Sequence, residues 1–159
     1  MKIISGGQTG ADRAALDVAL ELDMDYGGSI PKGRIAEDGP IDLERYPRLF
    51  ELKEGSYLAR TKKNVEDADA TLAFTHGALT GGTERTLEFA KEYKKPYLHV
   101  NLKDVSVEGA VHEITEWLNI IKPKVLDVAG PRESGAPGIY AKVYKVLKTA
   151  LQQASHARR

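Results

Sequence analysis

Three glycine-rich corners divide this chain, each set shortly after an apolar run: Gly6-Gly7-Gln8-Thr9-Gly10, Gly81-Gly82-Thr83 and Gly130-Pro131-Arg132-Glu133. Glycine lets a backbone turn sharply and approach another group closely. The apolar runs read as strands: Lys2–Ser5, Tyr26–Ile30, Ala70–Thr75, Pro96–Asn101 and Val125–Ala129. They are short and bounded by turn residues, the pattern of strands covered on both faces.

Helical periodicity fills the gaps. Ala11, Ala14, Ala15, Val18, Ala19 and Leu22 mark one face of a first helix, and Leu58, Thr61, Val65 and Ala68 a shorter second stripe. A third helix spans about Thr83 to Tyr93, with Leu87, Ala90 and Tyr93 facing inward. Val107, Ala110, Val111, Ile114, Trp117, Leu118 and Ile121 make a fourth; Ile139, Val143, Val146, Leu147, Ala150, Leu151 and Ala154 make a fifth. This alternation predicts an α/β fold, a doubly wound sheet of about five mainly parallel strands with helices on both faces. The corners then share one edge of the sheet, the edge on which open α/β folds bind ligands.

At 159 residues the chain reads as one ligand-binding domain over residues 1–154, followed by a polar tail, residues 155–159, expected to fray. Lysine plus arginine equals aspartate plus glutamate, 23 each, so no net field draws in nucleic acid. There is no cysteine, which removes disulfides, thiolate metal sites and cysteine nucleophiles together. No signal peptide precedes the first strand and no apolar run reaches membrane-spanning length, so the expected location is the cytoplasm, away from membranes.

The corners carry the candidate chemistry. A glycine corner opening a helix offers unpaired N–H groups to an anion, so the expected ligand is a small molecule bearing a phosphate. In the first corner Gly6, Gly7, Gln8, Thr9, Gly10, Asp12 and Arg13 are candidates; Thr9 and Asp12 equally fit a capping box that merely starts a helix. The spacing is neither a dinucleotide fingerprint nor a P-loop. In the second, Gly81, Gly82, Thr83, Arg85 and Thr86 suit an anion, whereas Glu84 suits a hydroxyl, amine or metal; Thr83 alternatively reads as a helix N-cap. Glu84 and Glu88 are one turn apart, a spacing that serves acid–base work or an exposed helix face. In the third, Gly130 and Arg132 are the candidates.

Between Pro31 and Gly55 the rhythm breaks. This stretch is either an ordered insertion over a sheet edge or a loop that brings Lys32 and Arg34 over the ligand. The four histidines, His76, His99, His112 and His156, lack metal-ligand spacing, so no metal site is expected. Ser5, Ser29 and Ser134 lack a nucleophile elbow.

Taken together, Ser5-Gly6-Gly7-Gln8-Thr9-Gly10-Ala11-Asp12, Gly81-Gly82-Thr83-Glu84-Arg85-Thr86 and Val128-Ala129-Gly130-Pro131-Arg132-Glu133-Ser134 resemble the molybdenum carrier (molybdenum cofactor carrier) family. The match runs in order over nearly the whole chain and includes Asp67-Ala68-Asp69-Ala70-Thr71-Leu72-Ala73-Phe74. That family is similar to the lysine-decarboxylase-like (lonely guy) proteins. The resemblance implies a Rossmann-like sheet and, as carried ligand, the molybdenum cofactor (molybdopterin), with Asn101 or backbone amides meeting the pterin edge. It also implies homo-oligomers, dimers or tetramers, and molybdoenzymes as recipients of the cargo. Hydrolase relatives carry a motif onto which Gly81, Gly82 and Glu88 fall, while Thr80, Glu84 and Arg85 depart from it. The alternatives to a carrier are therefore a nucleoside monophosphate phosphoribohydrolase, with Glu84 or Glu88 catalytic, and a nucleotide-sensing module.

Overall fold

The computed structural model describes residues 1–157. β1 (Lys2–Ile4) leads into α1 (Ala11–Glu21) and β2 (Asp25–Gly27); a short β3 (Ser29–Ile30) pairs with β4 (Phe50–Glu51). Then follow α2 (Tyr57–Asp67), β5 (Ala70–Thr75), α3 (Gly81–Glu92), β6 (Tyr97–Asn101), α4 (Val107–Ile121), β7 (Val125–Ala129) and α5 (Ile139–Ala157). The helix α5 takes in the backbone of residues 155–157, which the sequence reading assigned to the tail; residues 158 and 159 lie outside the described residues.

Five strands form one parallel sheet in the order β2-β1-β7-β5-β6. Helices α1, α4 and α5 pack together on one face, and α2 and α3 on the other. Moving the β7–α5 unit to the front of the chain would turn this order into 3-2-1-4-5, the first five strands of a dinucleotide-binding sheet. The fold is thus a doubly wound, Rossmann-like sheet whose first unit stands last in the sequence. Its main core joins Ile3, Leu16, Leu72, Phe74, Leu126 and Val128 to the inner faces of α1, α4 and α5. Val65, Phe89 and Ala90 form a smaller cluster between α2 and α3.

Two details differ from the sequence reading. The run Tyr26–Ile30 is broken at Gly28, where φ is +128° and a side chain would strike the Ser5 backbone. The chain therefore leaves the main sheet at that point to pair with β4. In α2, Leu58 is exposed, and the buried side chains are Asn64 and Val65. The stretch between β3 and β4 is anchored to the core by Ile41, Tyr46 and Leu49.

The first and third corners are docked backbone to backbone. Ala11 N–H donates to the Pro131 carbonyl at 3.2 Å, and Gly10, at φ +82°, lies so close that a Cβ would sit 2.8 Å from the Glu133 nitrogen. A substitution at Gly10 therefore adds a backbone clash to an unfavourable φ. Gly10→Ala is expected to cost about 2–3 kcal/mol, seen as a fall in Tm of roughly 4–12 °C. Gly39→Ala, also at positive φ but with open space around it, should cost about 1 kcal/mol in the same melt.

Candidate functional site

In a doubly wound sheet the helices that follow two adjacent strands leave on opposite faces at one point, and the loops diverge there. Here that point lies between β7, followed by α5, and β5, followed by α3. A cavity of about 410 Å³ opens at this position, within the usual range for small-molecule sites. Its walls are the first corner (Gly6, Gln8, Asp12), α2 (Tyr57, Arg60, Thr61, Asn64), the start of α3 (Thr80 to Thr83, Thr86) and the end of β7 with its loop.

The α3 wall presents a helix N-terminus. Thr80 is the N-cap and makes no side-chain cap bond, so the N–H groups of Gly81, Gly82 and Thr83 precede the first intrahelical donor, that of Glu84. A Cβ on Gly81 or Gly82 would touch nothing within 4 Å, so this turn faces open space. Thr86 donates its hydroxyl to the Gly82 carbonyl at 2.9 Å, and Arg132 lines the cavity from the third corner. An anion meeting this wall finds backbone donors and the positive end of the helix dipole.

The floor has the opposite chemistry. Asp127 projects from the middle of β7 and is 3% exposed; Asp12, from the first turn of α1, is 7% exposed. Arg60 of α2 reaches between them, donating to the Gly6 carbonyl at 2.7 Å and pairing with Asp12 at 3.4 Å. Burial drives the Asp127 carboxyl up to about 8, reinforced by the neighbouring Asp12 charge and opposed by Arg60 and the Thr71 hydroxyl. Burial also raises Asp12, to about 6, with Arg60 holding it back.

The structure brings Gly6, Gln8, Asp12, Gly81, Gly82, Thr83, Thr86, Gly130 and Arg132 to the cavity. Other candidates lie outside its lining. Gly7 packs beneath Ile30 and Ile41, and Gly10 against the third corner. Arg13 is held by Asp38 at 2.9 Å and by the Gly7 carbonyl at 3.1 Å. Lys32 and Arg34 form a helical turn away from the lining, with Arg34 donating to the Ile41 carbonyl at 3.2 Å. Glu84, Arg85 and Glu88 are on the exposed side of α3, where Arg85 and Glu88 pair with each other. Asn101 accepts from the Gly77 N–H at 2.8 Å and donates to Asp104 at 3.0 Å.

Neither expected helix cap forms. The N-cap of α1 is Gly10, without a side-chain bond, because Thr9 is taken by Glu37 and the Glu133 N–H while Asp12 turns to Arg60. Thr83 lies inside the first turn of α3, buried against the cavity wall. The stretch between β3 and β4 brings the acids Glu37 and Asp38, and not Lys32 or Arg34, to the first corner. Glu37 bridges Thr9 and Ser134, and the Ser134 and Thr9 hydroxyls that donate to it hold its carboxyl below the usual range.

Asp127 and Arg60, the centre of the floor, were not among the sequence candidates. Asp127 carried a readable signal, a lone acid inside the apolar run Val125–Ala129. Arg60 carried none, since its partner Asp12 is 48 residues away.

The fold is a Rossmann-like sheet of permuted order with a cavity at its switch point. Residues 3–151 match the Circularly permutated YpsA SLOG family, and the chain belongs to it. It is similar to the crystal structure, at 1.45 Å resolution, of a protein from Syntrophus aciditrophicus SB described as a "Putative molybdenum carrier protein". The two share 47% identity with a TM-score of 0.90 over 94% of each chain. No curated protein matches the chain. Among the described residues, no group of three or more His, Cys, Asp and Glu side chains is arranged to hold a metal ion, and no helix is long and apolar enough to cross a membrane.

The raised carboxyls set a pH dependence. A group that binds its proton more tightly when folded contributes stability below its unfolded pKa, near 4, that is lost as pH rises through the folded value. For Asp127 the window runs from 3.8 to about 8. Asp127→Asn removes the ionisation, so its Tm should exceed that of the wild type at pH 9 by roughly 3 °C or more and converge toward it at pH 5. Equal pH slopes in the two melts would contradict the burial argument.

Proposed function

We propose that this protein is a cytoplasmic carrier that binds a phosphate-bearing small molecule without turning it over, and that its cargo is the molybdenum cofactor (molybdopterin). The observation that carries the reading is the uncapped first turn of α3, with Gly81 and Gly82 open to the cavity and Arg132 lining it from the third corner. Backbone N–H groups at a helix start are preorganised for a phosphate and cost little to desolvate further. The chain has no cysteine, so the metal would keep its own dithiolene ligands while the protein grips the organic part. Similarity to a protein described as a molybdenum carrier, at 47% identity over 94% of the chain, supports the identity of the cargo. Homo-oligomers and molybdoenzymes as recipients belong to the same proposal.

Turnover finds less support. Glu84 and Glu88 stand outside the cavity lining, and Glu88 is engaged by Arg85, so neither faces a glycosidic bond held there.

Native mass spectrometry with metal analysis, on protein purified anaerobically from its own host, tests the reading. The expected result is a pterin-phosphate mass with molybdenum near one per chain. Gly82→Asp adds a carboxylate where nothing lies within 4 Å, so it should leave the melt unchanged yet lower bound ligand at least ~10-fold. A nucleotide mass without molybdenum, released as base and sugar phosphate on incubation, would replace the carrier by an enzyme.

A further inference from the structure

The cavity is chemically two-ended, and a phosphate satisfies only one end. At α3 it meets N–H groups; at the floor it would meet Asp127 and Asp12, with Arg60 already paired to Asp12. Once Asp127 is ionised, the part of the ligand that reaches the floor meets acceptors and must supply hydrogen-bond donors. An ionised carboxyl offers about four acceptor positions. Around Asp127 the groups able to donate are the Thr71 hydroxyl from β5 and the Arg60 guanidinium from α2, and Arg60 is turned to Gly6 and Asp12. Acceptor capacity thus faces the cavity from Asp127, a buried residue, 3% exposed, that lines it.

The wall beside the floor suits a flat ring. Tyr57 lines the cavity and is exposed, and the Arg60 guanidinium lies over its ring at 5.3 Å from the centroid. A planar heterocycle can lie against such a pair while its edge points down to the carboxyl.

We propose that Asp127 reads the edge of a 2-amino-4-oxo pyrimidine ring, the edge shared by pterins and guanine, taking the ring N–H and the amino N–H on its two oxygens while α3 holds the phosphate. This rests on the carrier reading for the phosphate end and adds the ring's recognition to it. It also gives Asp127 the part that the sequence reading gave Asn101, whose amide is used by Gly77 and Asp104. Two parallel N–H···O bonds to a buried carboxylate discriminate strongly, because a ring lacking one donor leaves acceptor capacity desolvated and unfilled.

Binding should also release a proton. The free carboxyl holds its proton up to about pH 8, while a donor pair favours the ionised form. The charged groups facing the two carboxyls are Arg60 from α2 and Arg13 from α1, with Asp12 itself beside Asp127.

Isothermal titration of the whole protein with GMP, IMP and neopterin 3′-monophosphate tests this. GMP and IMP share ribose and phosphate, and IMP lacks only the amino donor. The wild type should bind GMP at least ~10-fold tighter than IMP, and this ratio should grow between pH 6 and pH 8. In Asp127→Asn, which keeps the side-chain shape, the ratio should shrink below ~3-fold. Tighter neopterin monophosphate than GMP identifies the pterin as the natural ring; the reverse order identifies guanine. Equal binding of GMP and IMP, or a ratio untouched in Asp127→Asn, overturns the proposal. The phosphate end still stands in that case if Gly82→Asp weakens both nucleotides. No binding of any probe, with no change in Tm on adding millimolar orthophosphate, overturns both.

Discussion

The close docking of the first and third corners is the constraint on which the site depends. Strands β1 and β7 are neighbours in the sheet, and their loops must turn away at the same edge without colliding. Gly10 and Gly130 permit this, the latter lying where a Cβ would meet Ala11 and the Phe74 carbonyl. The Ala11 N–H to Pro131 carbonyl bond then fixes the separation. With the backbones so close, the first turn of α1 hangs over the end of β7. Asp12 is thereby set near Asp127, and Arg60 is drawn in from α2 to meet them. Two carboxyls in a buried space would repel strongly if both ionised, so the floor stays close to neutral by pairing one with Arg60 and protonating the other.

Around that floor the charges are sorted by face. The acids Glu37 and Asp38 lie on the outer side of the first corner, where they occupy Thr9, Ser134 and Arg13. The cavity side keeps the helix start, while Arg132, which also lines the cavity, has its Nε 3.9 Å from the Glu37 carboxylate. Some glycines that the sequence offers as anion contacts are therefore packing glycines, and the two cavity-lining ones with open space around them are Gly81 and Gly82. A ligand entering the cavity meets a polarity running from N–H donors at α3 to carboxyl acceptors at β7. In the proposed complex that polarity separates the phosphate from the donor-bearing ring.

Much of the fold was legible because it depends on local patterns. Buried parallel strands are short apolar runs, and the stripes of α1, α4 and α5 repeat at helical spacing; both survive into the structure nearly residue for residue. The break at Gly28 was less legible, since it is imposed by Ser5 on the neighbouring strand. The permuted strand order was not legible either, because periodicity says which segments are strands and not which are neighbours. At the site, glycine corners announced themselves through composition, and Asp12 and Arg132 came with them. Arg60 belongs to a helix whose periodicity it does not disturb, and only the crossing of α2 over the first corner reveals its role. Thr9 and Arg13 were read as free for a ligand because their partners, Glu37 and Asp38, lie in the stretch with the least regular pattern.

The central claim is that the crevice between β5 and β7 is the ligand site, with the anion at α3. A crystal structure of the protein isolated anaerobically from its host, with whatever it carries, addresses that claim most directly. The account predicts a phosphate within about 3.2 Å of the Gly82 and Thr83 nitrogens and a planar ring edge on Asp127. A ligand bound outside this crevice, or a phosphate set against Asp127 and Asp12, would contradict it.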